Sequence, residues 1–306
     1  MLAEEELAKL EPERETVLTI GVFDGVHVGH QHLLEHLKSQ AKMKDCLTGV
    51  VTFRCHPRAV LSPDTKLPYL TSLEERTRLL KEFGIDLIAI LSFTPDLAQL
   101  GAHQFVILLQ RYLKMRGLVI GPDFALGCGR EGTASVLYAL GKETGFTVEA
   151  VPPMMLEGEM VSSTAIRDTL SAGNMEKAEK LLGHPFSLGG RVARGAERGR
   201  ILGFCTANLD LNARQALPPD GVYATRANIG NQTHQAVTNI GKRPTFGNEE
   251  RTVEVYLLDF EGDLYGHKMR IEFLKRLRDE QHFDHVDELK LQISKDVEQA
   301  RAILVR

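Results

Sequence analysis

Val17-Leu18-Thr19-Ile20, followed by Gly21-Val22-Phe23-Asp24-Gly25-Val26-His27-Val28-Gly29-His30, is the stretch whose reading decides the fold. Its first four residues form a short apolar run, and the segment from His30 to Lys44 has helical periodicity. A strand, a glycine-bearing turn and a helix start, in that order, form the setting in which backbone amides hold phosphate. His27 and His30 stand three residues apart, so both imidazoles lie on one side of the first helical turn. Gly29 between them carries no Cβ to keep a phosphate away from the backbone.

The pair resembles the HxGH signature of nucleotidyltransferases, in which the histidines donate hydrogen bonds to an ATP phosphate. A second motif overlaps it: His32-Leu33-Leu34-Glu35-His36 matches the HxxEH pattern of zinc proteases. Helical phase separates the two. Leu33, Leu34, Leu37 and Ala41 form one apolar stripe, with His30 near its middle and His27 close to its edge. His32, Glu35 and His36 fall on the opposite side, toward solvent. No catalytic zinc is expected there.

Outward from this stretch, residues 17 to 151 alternate strand-like and helix-like segments. The strands are expected at Val17–Ile20, Thr48–Phe53, Leu87–Leu91, Leu118–Ile120 and Thr147–Val151. The helices between them are expected to begin near Val28, Ser72, Ala102 and Thr133. That alternation predicts a parallel sheet covered on both faces, with ligands at the carboxyl ends of its strands. Polar clusters follow three of those ends: Asp24, His27 and His30; then His56-Pro57-Arg58; then Gly121-Pro122-Asp123-Phe124. Further on, Val161-Ser162-Ser163-Thr164-Ala165-Ile166-Arg167 reads equally as a helix cap and as a phosphate-binding element.

From about His184 short strands replace helices: Val222–Ala227, Ala236–Ile240, Thr252–Leu258 and Met269–Phe273. Their alternation predicts a small antiparallel barrel, closed by an amphipathic helix from about Val286 to Leu304. Two domains are expected, 1–183 and 184–306. Gly189 to Arg200 opens the second with glycines and arginines, which suits a loop folded over phosphate.

Composition narrows the classes. The 306 residues carry 37 basic and 41 acidic side chains, a net charge of −4, so no global basic field draws in nucleic acid. An RNA-binding barrel needs aromatics among basic residues; tryptophan is absent and aromatics make up 6%. Met1 to Glu15 is acidic and lacks the form of a signal peptide, and no apolar run approaches a membrane span. The cysteines, Cys46, Cys55, Cys128 and Cys205, form no CxxC pair and suggest buried filler in a reducing cytoplasm. Walker A, HRD and DFG motifs are missing, as is the KMSKS of the synthetases that HVGH otherwise suggests.

GVFDGVHVGHQ, VTF-CHPR, LTSLEER, GPDFALG, SSTAIR, RG-RGR-LGF-TANL, GKRPTFG and VEVYLLDF occur in one order along nearly the whole chain. This set resembles the prokaryotic bifunctional riboflavin kinase/FAD synthetase family. The resemblance implies an α/β nucleotidyltransferase domain of the HxGH class, followed by a six-stranded antiparallel barrel with a C-terminal helix. It implies that the second domain phosphorylates riboflavin to FMN and the first transfers AMP from ATP to FMN, giving FAD and pyrophosphate. Mg²⁺ would accompany ATP in both. Another HxGH nucleotidyltransferase with an accessory barrel, acting on nicotinamide mononucleotide or phosphopantetheine, is the alternative.

By the same resemblance, His27 and His30 are the catalytic histidines. Gly21, Phe23, Asp24, Gly25 and Gly29 belong to their ATP-binding turn. Ser163, Thr164 and Arg167 match the element that closes on ATP phosphates. His56, Pro57, Asp123 and Phe124 match flavin-binding loops. In the kinase half, Gly195, Arg198 and Gly199 would face phosphate, Thr206 and Asn208 would hold Mg²⁺-ATP, and Glu254 would be the base. Three positions depart from the family's usual residues: Cys55 and Cys205 replace prolines, and Ala125 replaces a common arginine.

Overall fold

A computed structural model describes residues 1–62, 64, 67–193, 206–242 and 251–304. These divide into two compact units: Met1–Leu67 with Leu73–Ser162, and Pro68–Ser72 with Ser163–Arg306.

The first unit is built on a parallel sheet of β1 (Thr16–Ile20), β2 (Leu47–Phe53), β3 (Leu87–Leu91), β4 (Met115–Ile120) and β5 (Thr147–Ala150), in the order β3-β2-β1-β4-β5. The central strand β1 is buried at every position, as a strand covered on both faces must be. Successive residues serve opposite faces. Leu18, Val51 and Leu91 join Leu7 of α1 (Leu2–Ala8) and Phe105 and Leu109 of α6 (Ala102–Leu113) in one core. Val17, Val50 and Val119 join Leu34 and Leu37 of α2 (Val28–Met43) and Leu80 of α4 (Leu73–Glu82) in the other. The strand order reverses between β1 and β4. That is the switch point at which open α/β sheets bind ligands beyond their carboxyl ends.

The second unit is a closed barrel of β8 (Phe186–Ala193), β9 (Thr206–Asp210), β10 (Gly221–Ile229), β11 (Gln232–Lys242), β12 (Arg251–Leu257) and β13 (Lys268–Arg278), in the order β10-β11-β12-β9-β8-β13. Tyr223, Phe186 and Phe273 are fully buried; the Phe273 ring lies 5.3 Å from Tyr223 and 5.8 Å from Phe186. The helices continue as α7 (Ala134–Thr144), α8 (Ser163–Ser171), α9 (Met175–Leu182) and the C-terminal α10 (Val286–Leu304). Ala300 and Leu304 of α10 pack on Val222, Ala224 and Val237 of the barrel. Asp296 of the same helix, 3% exposed, is gripped by Arg278 of β13 through bonds of 2.8 and 2.9 Å.

Three expectations change. Gly189 and Gly190 lie in β8 rather than in a phosphate loop, because a Cβ on Gly190 would stand 2.3 Å from the Asp210 carbonyl of β9. Only glycine lets the two strands approach so closely there. His36 is half-buried rather than solvent-facing, because α2 crosses toward the edge strand and its Nδ1 meets Glu149 Oε1 at 2.8 Å. Cys55 and Cys128 are exposed and Cys46 half-buried, so these three are not core filler; Cys46 and Cys55 lie in loops beyond helix and strand ends, and Cys128 opens a single 3-10 turn at the surface.

Candidate active sites

In the first unit the sequence folds into a strained turn. Phe23, Gly25 and Val26 have φ of 54°, 87° and 39°. Positive φ at a β-branched valine is rare, and such conformations persist where surrounding contacts impose them, typically at functional sites. The turn ends on His27, the N-cap of α2, with φ −65° and ψ 169°. Its Nδ1 accepts the backbone N–H of His30 at 3.3 Å. That bond puts the proton of a neutral His27 on Nε2, leaving an N–H donor at the ring's far side. The His27 and His30 rings stack with centroids 3.6 Å apart, and Phe23 lies 5.0 Å from His30.

His27 is 5% exposed, and His30 Nδ1 is buried without a hydrogen-bond partner. Burial first, then the neighbouring His27 and Arg76, hold the His30 pKa well below the usual imidazole value. His30 is therefore neutral at pH 7, and the stack carries no charge repulsion. A Cβ on Gly29 would meet His27 Cε1 and Nδ1 at 3.2 Å and the Val161 carbonyl at 3.3 Å. The glycine thus makes room for the histidine ring, a role its place in the motif does not by itself reveal. Asp24, 3% exposed, and Gly25 are buried within the turn, and Gly21 packs under the Phe23 ring.

The two loops expected to bind flavin flank this turn, because β2 and β4 are the neighbours of β1. His56 Nδ1 accepts the Arg58 N–H at 3.1 Å, and Pro57 starts the short helix α3 (Arg58–Leu61). After β4, Phe124 packs against the core while Asp123 is exposed, its carbonyl accepting from Arg130 at 2.8 Å. Sequence reasoning missed Arg76, which is 2% exposed and donates to the carbonyls of Val22 and Phe53 at 2.6 and 2.7 Å. Its place at the end of LTSLEER, one of the motifs that carry the family resemblance, was the available signal.

The second unit holds the remaining positions. Ser163 and Thr164 stand in the first turn of α8, and Arg167 one turn on donates from Nε to the Pro68 carbonyl at 2.7 Å. In the barrel, Glu254 of β12 is the register partner of Asn208 on β9 and of Asn239 on β11. Thr206 lies two residues before Asn208, on the same side of its strand. Val253, Val255 and Leu257 turn inward, at 1%, 0% and 3% exposure, which leaves half-buried Glu254 on the other face. Asn239 is a further polar neighbour that strand alternation alone does not single out. Gly195, Arg198, Gly199 and Cys205 lie outside the described residues.

A histidine pair capping the helix after the central strand, in one unit, and a carboxylate facing an Asn in a closed barrel, in the other, define a nucleotidyltransferase joined to a barrel enzyme. A family model described as FAD synthetase matches residues 9–165, and one described as riboflavin kinase matches 182–304. Curated relatives described as bifunctional riboflavin kinase/FMN adenylyltransferase agree along the chain. That of Pseudomonas fluorescens is 41% identical, covering 97% of this chain and 96% of its own. That of Escherichia coli is 40% identical, over 95% and 93%, and that of Bacillus subtilis 35%, over 95% and 93%. A crystal structure described as a macrolide-efflux protein of Streptococcus pneumoniae superposes with a TM-score of 0.87 at 34% identity, covering 96% of each chain. Among the described residues of the present chain no helix is long and apolar enough to cross a membrane.

The chain belongs to the bifunctional riboflavin kinase/FMN adenylyltransferase family, with its FAD synthetase region N-terminal and its riboflavin kinase region C-terminal. Riboflavin, FMN and ATP are its substrates and FAD its final product.

Proposed function

We propose that His27 and His30 carry adenylyl transfer and Glu254 carries riboflavin phosphorylation. The observation supporting the first assignment is the stacked histidine pair at the head of α2, with His30 held neutral by burial. FMN brings its own phosphate as nucleophile, so the protein has only to align two anions and stabilise a crowded phosphorus. His27 Nε2–H and the first-turn amides of α2 suit that task, since helix N-termini favour anions. Gly21, Phe23, Asp24, Gly25 and Gly29 shape the turn. Ser163, Thr164 and Arg167 are assigned to ATP phosphates on the match of SSTAIR to the family pattern. His56, Pro57, Asp123 and Phe124 are assigned to the flavin.

Phosphorylation of riboflavin starts from a neutral hydroxyl and needs a proton acceptor. Glu254 supplies it, opposite Asn208 at the cross-strand spacing of about 5 Å between Cβ atoms. Thr206, Asn208 and Glu254 are all oxygen donors, the set that suits Mg²⁺ with substrate phosphates. Thr206 and Asn208 would hold the ion there, and when bound it neutralises phosphate charge. We place the catalytic boundary at 183/184, the enzyme in the cytoplasm, and Gly195, Arg198 and Gly199 at the kinase phosphates. Chromatography of flavins from His27→Ala and Glu254→Gln tests the division. The first variant should stop at FMN, and the second should make FAD only when FMN is supplied. FAD synthesis at the normal rate in His27→Ala removes the histidine assignment.

A further inference from the structure

We infer that Arg76 is a positioning residue for adenylyl transfer, a buried clamp that fixes the spacing between the ATP-binding turn and the flavin loop. Its guanidinium sits at 2% exposure in α4. Nη1 donates to the Val22 carbonyl at 2.6 Å, and Nη2 to the Phe53 carbonyl at 2.7 Å. Val22 begins the strained turn that ends on His27. Phe53 is the last residue of β2, three positions before His56. One planar fork thus ties together the roots of two loops that leave adjacent parallel strands.

Thr52 Oγ1 also donates to Val22, at 3.1 Å, so that carbonyl receives two donors and the turn's entry is fixed from both sides. Burying an arginine is unfavourable unless its donors find partners, and here both terminal nitrogens bond carbonyls at strand ends while Nε is buried without a hydrogen bond. Such a charge does not serve solubility. The reaction joins two anions, and its rate depends on their alignment; a misplacement of about 1 Å is worth on the order of 10² in rate. A rigid tie between the two binding loops is the device that reaction needs. The same cation contributes to keeping His30 neutral, after burial and His27.

The inference rests on the assignment of these loops to ATP and FMN. The test compares full-length wild type, Arg76→Lys and Arg76→Met. FAD formation is followed with both KM values, riboflavin phosphorylation serves as an internal control, and the His30 ring is titrated by NMR. Arg76→Met should lower kcat for FAD by about 10²-fold, with each KM changed no more than about threefold. Arg76→Lys keeps the charge but replaces a fork by a point donor, and should lose roughly tenfold. The His30 pKa should rise in the Met variant and less in the Lys variant, which a purely structural role would not order in that way. Kinase activity should stay unchanged.

A Met variant with kcat within about threefold of wild type, or one whose whole defect lies in KM, overturns the clamp. Should Arg76→Met fail to fold, a folded Arg76→Lys with wild-type kcat overturns it, and a folded Arg76→Lys with the tenfold loss supports it. Wild type that makes no FAD from FMN would instead remove the loop assignments themselves.

Discussion

Replacing Gly29 by Ala adds one carbon at the point where the histidine pair is held. That Cβ would stand 3.2 Å from His27 Cε1 and Nδ1 and 3.3 Å from the Val161 carbonyl, so the neighbours must give by a few tenths of an ångström. The carbonyl belongs to backbone and moves less readily than the ring. The His27 ring therefore shifts, against a stacking distance of 3.6 Å and a cap bond already at 3.3 Å. If about 1 Å of misplacement is worth on the order of 10² in rate, a few tenths are worth roughly three- to tenfold in kcat. Stability should change little. The weakened cap loses up to about 1 kcal/mol, whereas Ala in place of Gly in a helix gains about as much. The assay is the steady-state rate of FAD formation from FMN and ATP, beside riboflavin phosphorylation and a thermal melt by circular dichroism. The expected outcome is reduced kcat for FAD with unchanged kinase activity and melting. A raised KM for ATP with wild-type kcat would refute this reasoning and return Gly29 to the role of letting phosphate approach the backbone.

Glu254→Gln should keep its fold and its binding of riboflavin and ATP while phosphorylating about 10²–10⁴ times more slowly, the range for a lost general base; initial rates and calorimetric binding check both halves. Fragments 184–306 and 163–306 should each make FMN and no FAD. The longer one should melt at higher temperature, because Met175, Ala178, Leu181 and Leu182 of α9 are buried within the second unit. A folded 184–306 fragment that cannot phosphorylate riboflavin would move the functional boundary. His30 makes the first unit sensitive to acid. Its folded pKa is depressed while the unfolded chain takes up the proton near 6.5. Stability should therefore fall as pH drops below about 6.5, and His30→Gln should remove part of that slope in pH-dependent melts.

The parallel sheet was legible because its strands are short, apolar and separated by amphipathic helices; β1 to β5 lie within a few residues of their expected positions. The C-terminal helix, Val286–Leu304, matches its expected range. Strands β8 and β9 were not legible from periodicity. Gly189 and Gly190 resemble loop residues until the close approach of Asp210 explains them. The helix α9 and the small hairpin of β6 (Met155–Leu156) and β7 (Glu159–Met160) are too short to carry a clear period. At the site, spacing alone put His27 and His30 side by side. It did not reveal that they stack, that His27 caps its own helix, or that Gly29 leaves room for the ring. Those depend on the positive φ of Phe23 and Val26, which tertiary contacts impose. Arg76 stands in LTSLEER, but the Val22 and Phe53 groups it holds are main-chain carbonyls, which any residue supplies, so the motif did not reveal what it ties together.

The most direct test is a time course of wild type, the His27→Ala/His30→Ala double variant and Glu254→Gln with riboflavin, ATP and Mg²⁺, resolving riboflavin, FMN and FAD. Wild type should pass through FMN to FAD. The double variant should accumulate FMN and stop, and Glu254→Gln should leave riboflavin untouched yet convert added FMN to FAD. Normal FAD formation by the double variant, or normal FMN formation by Glu254→Gln, would contradict the assignment of the two reactions to these residues.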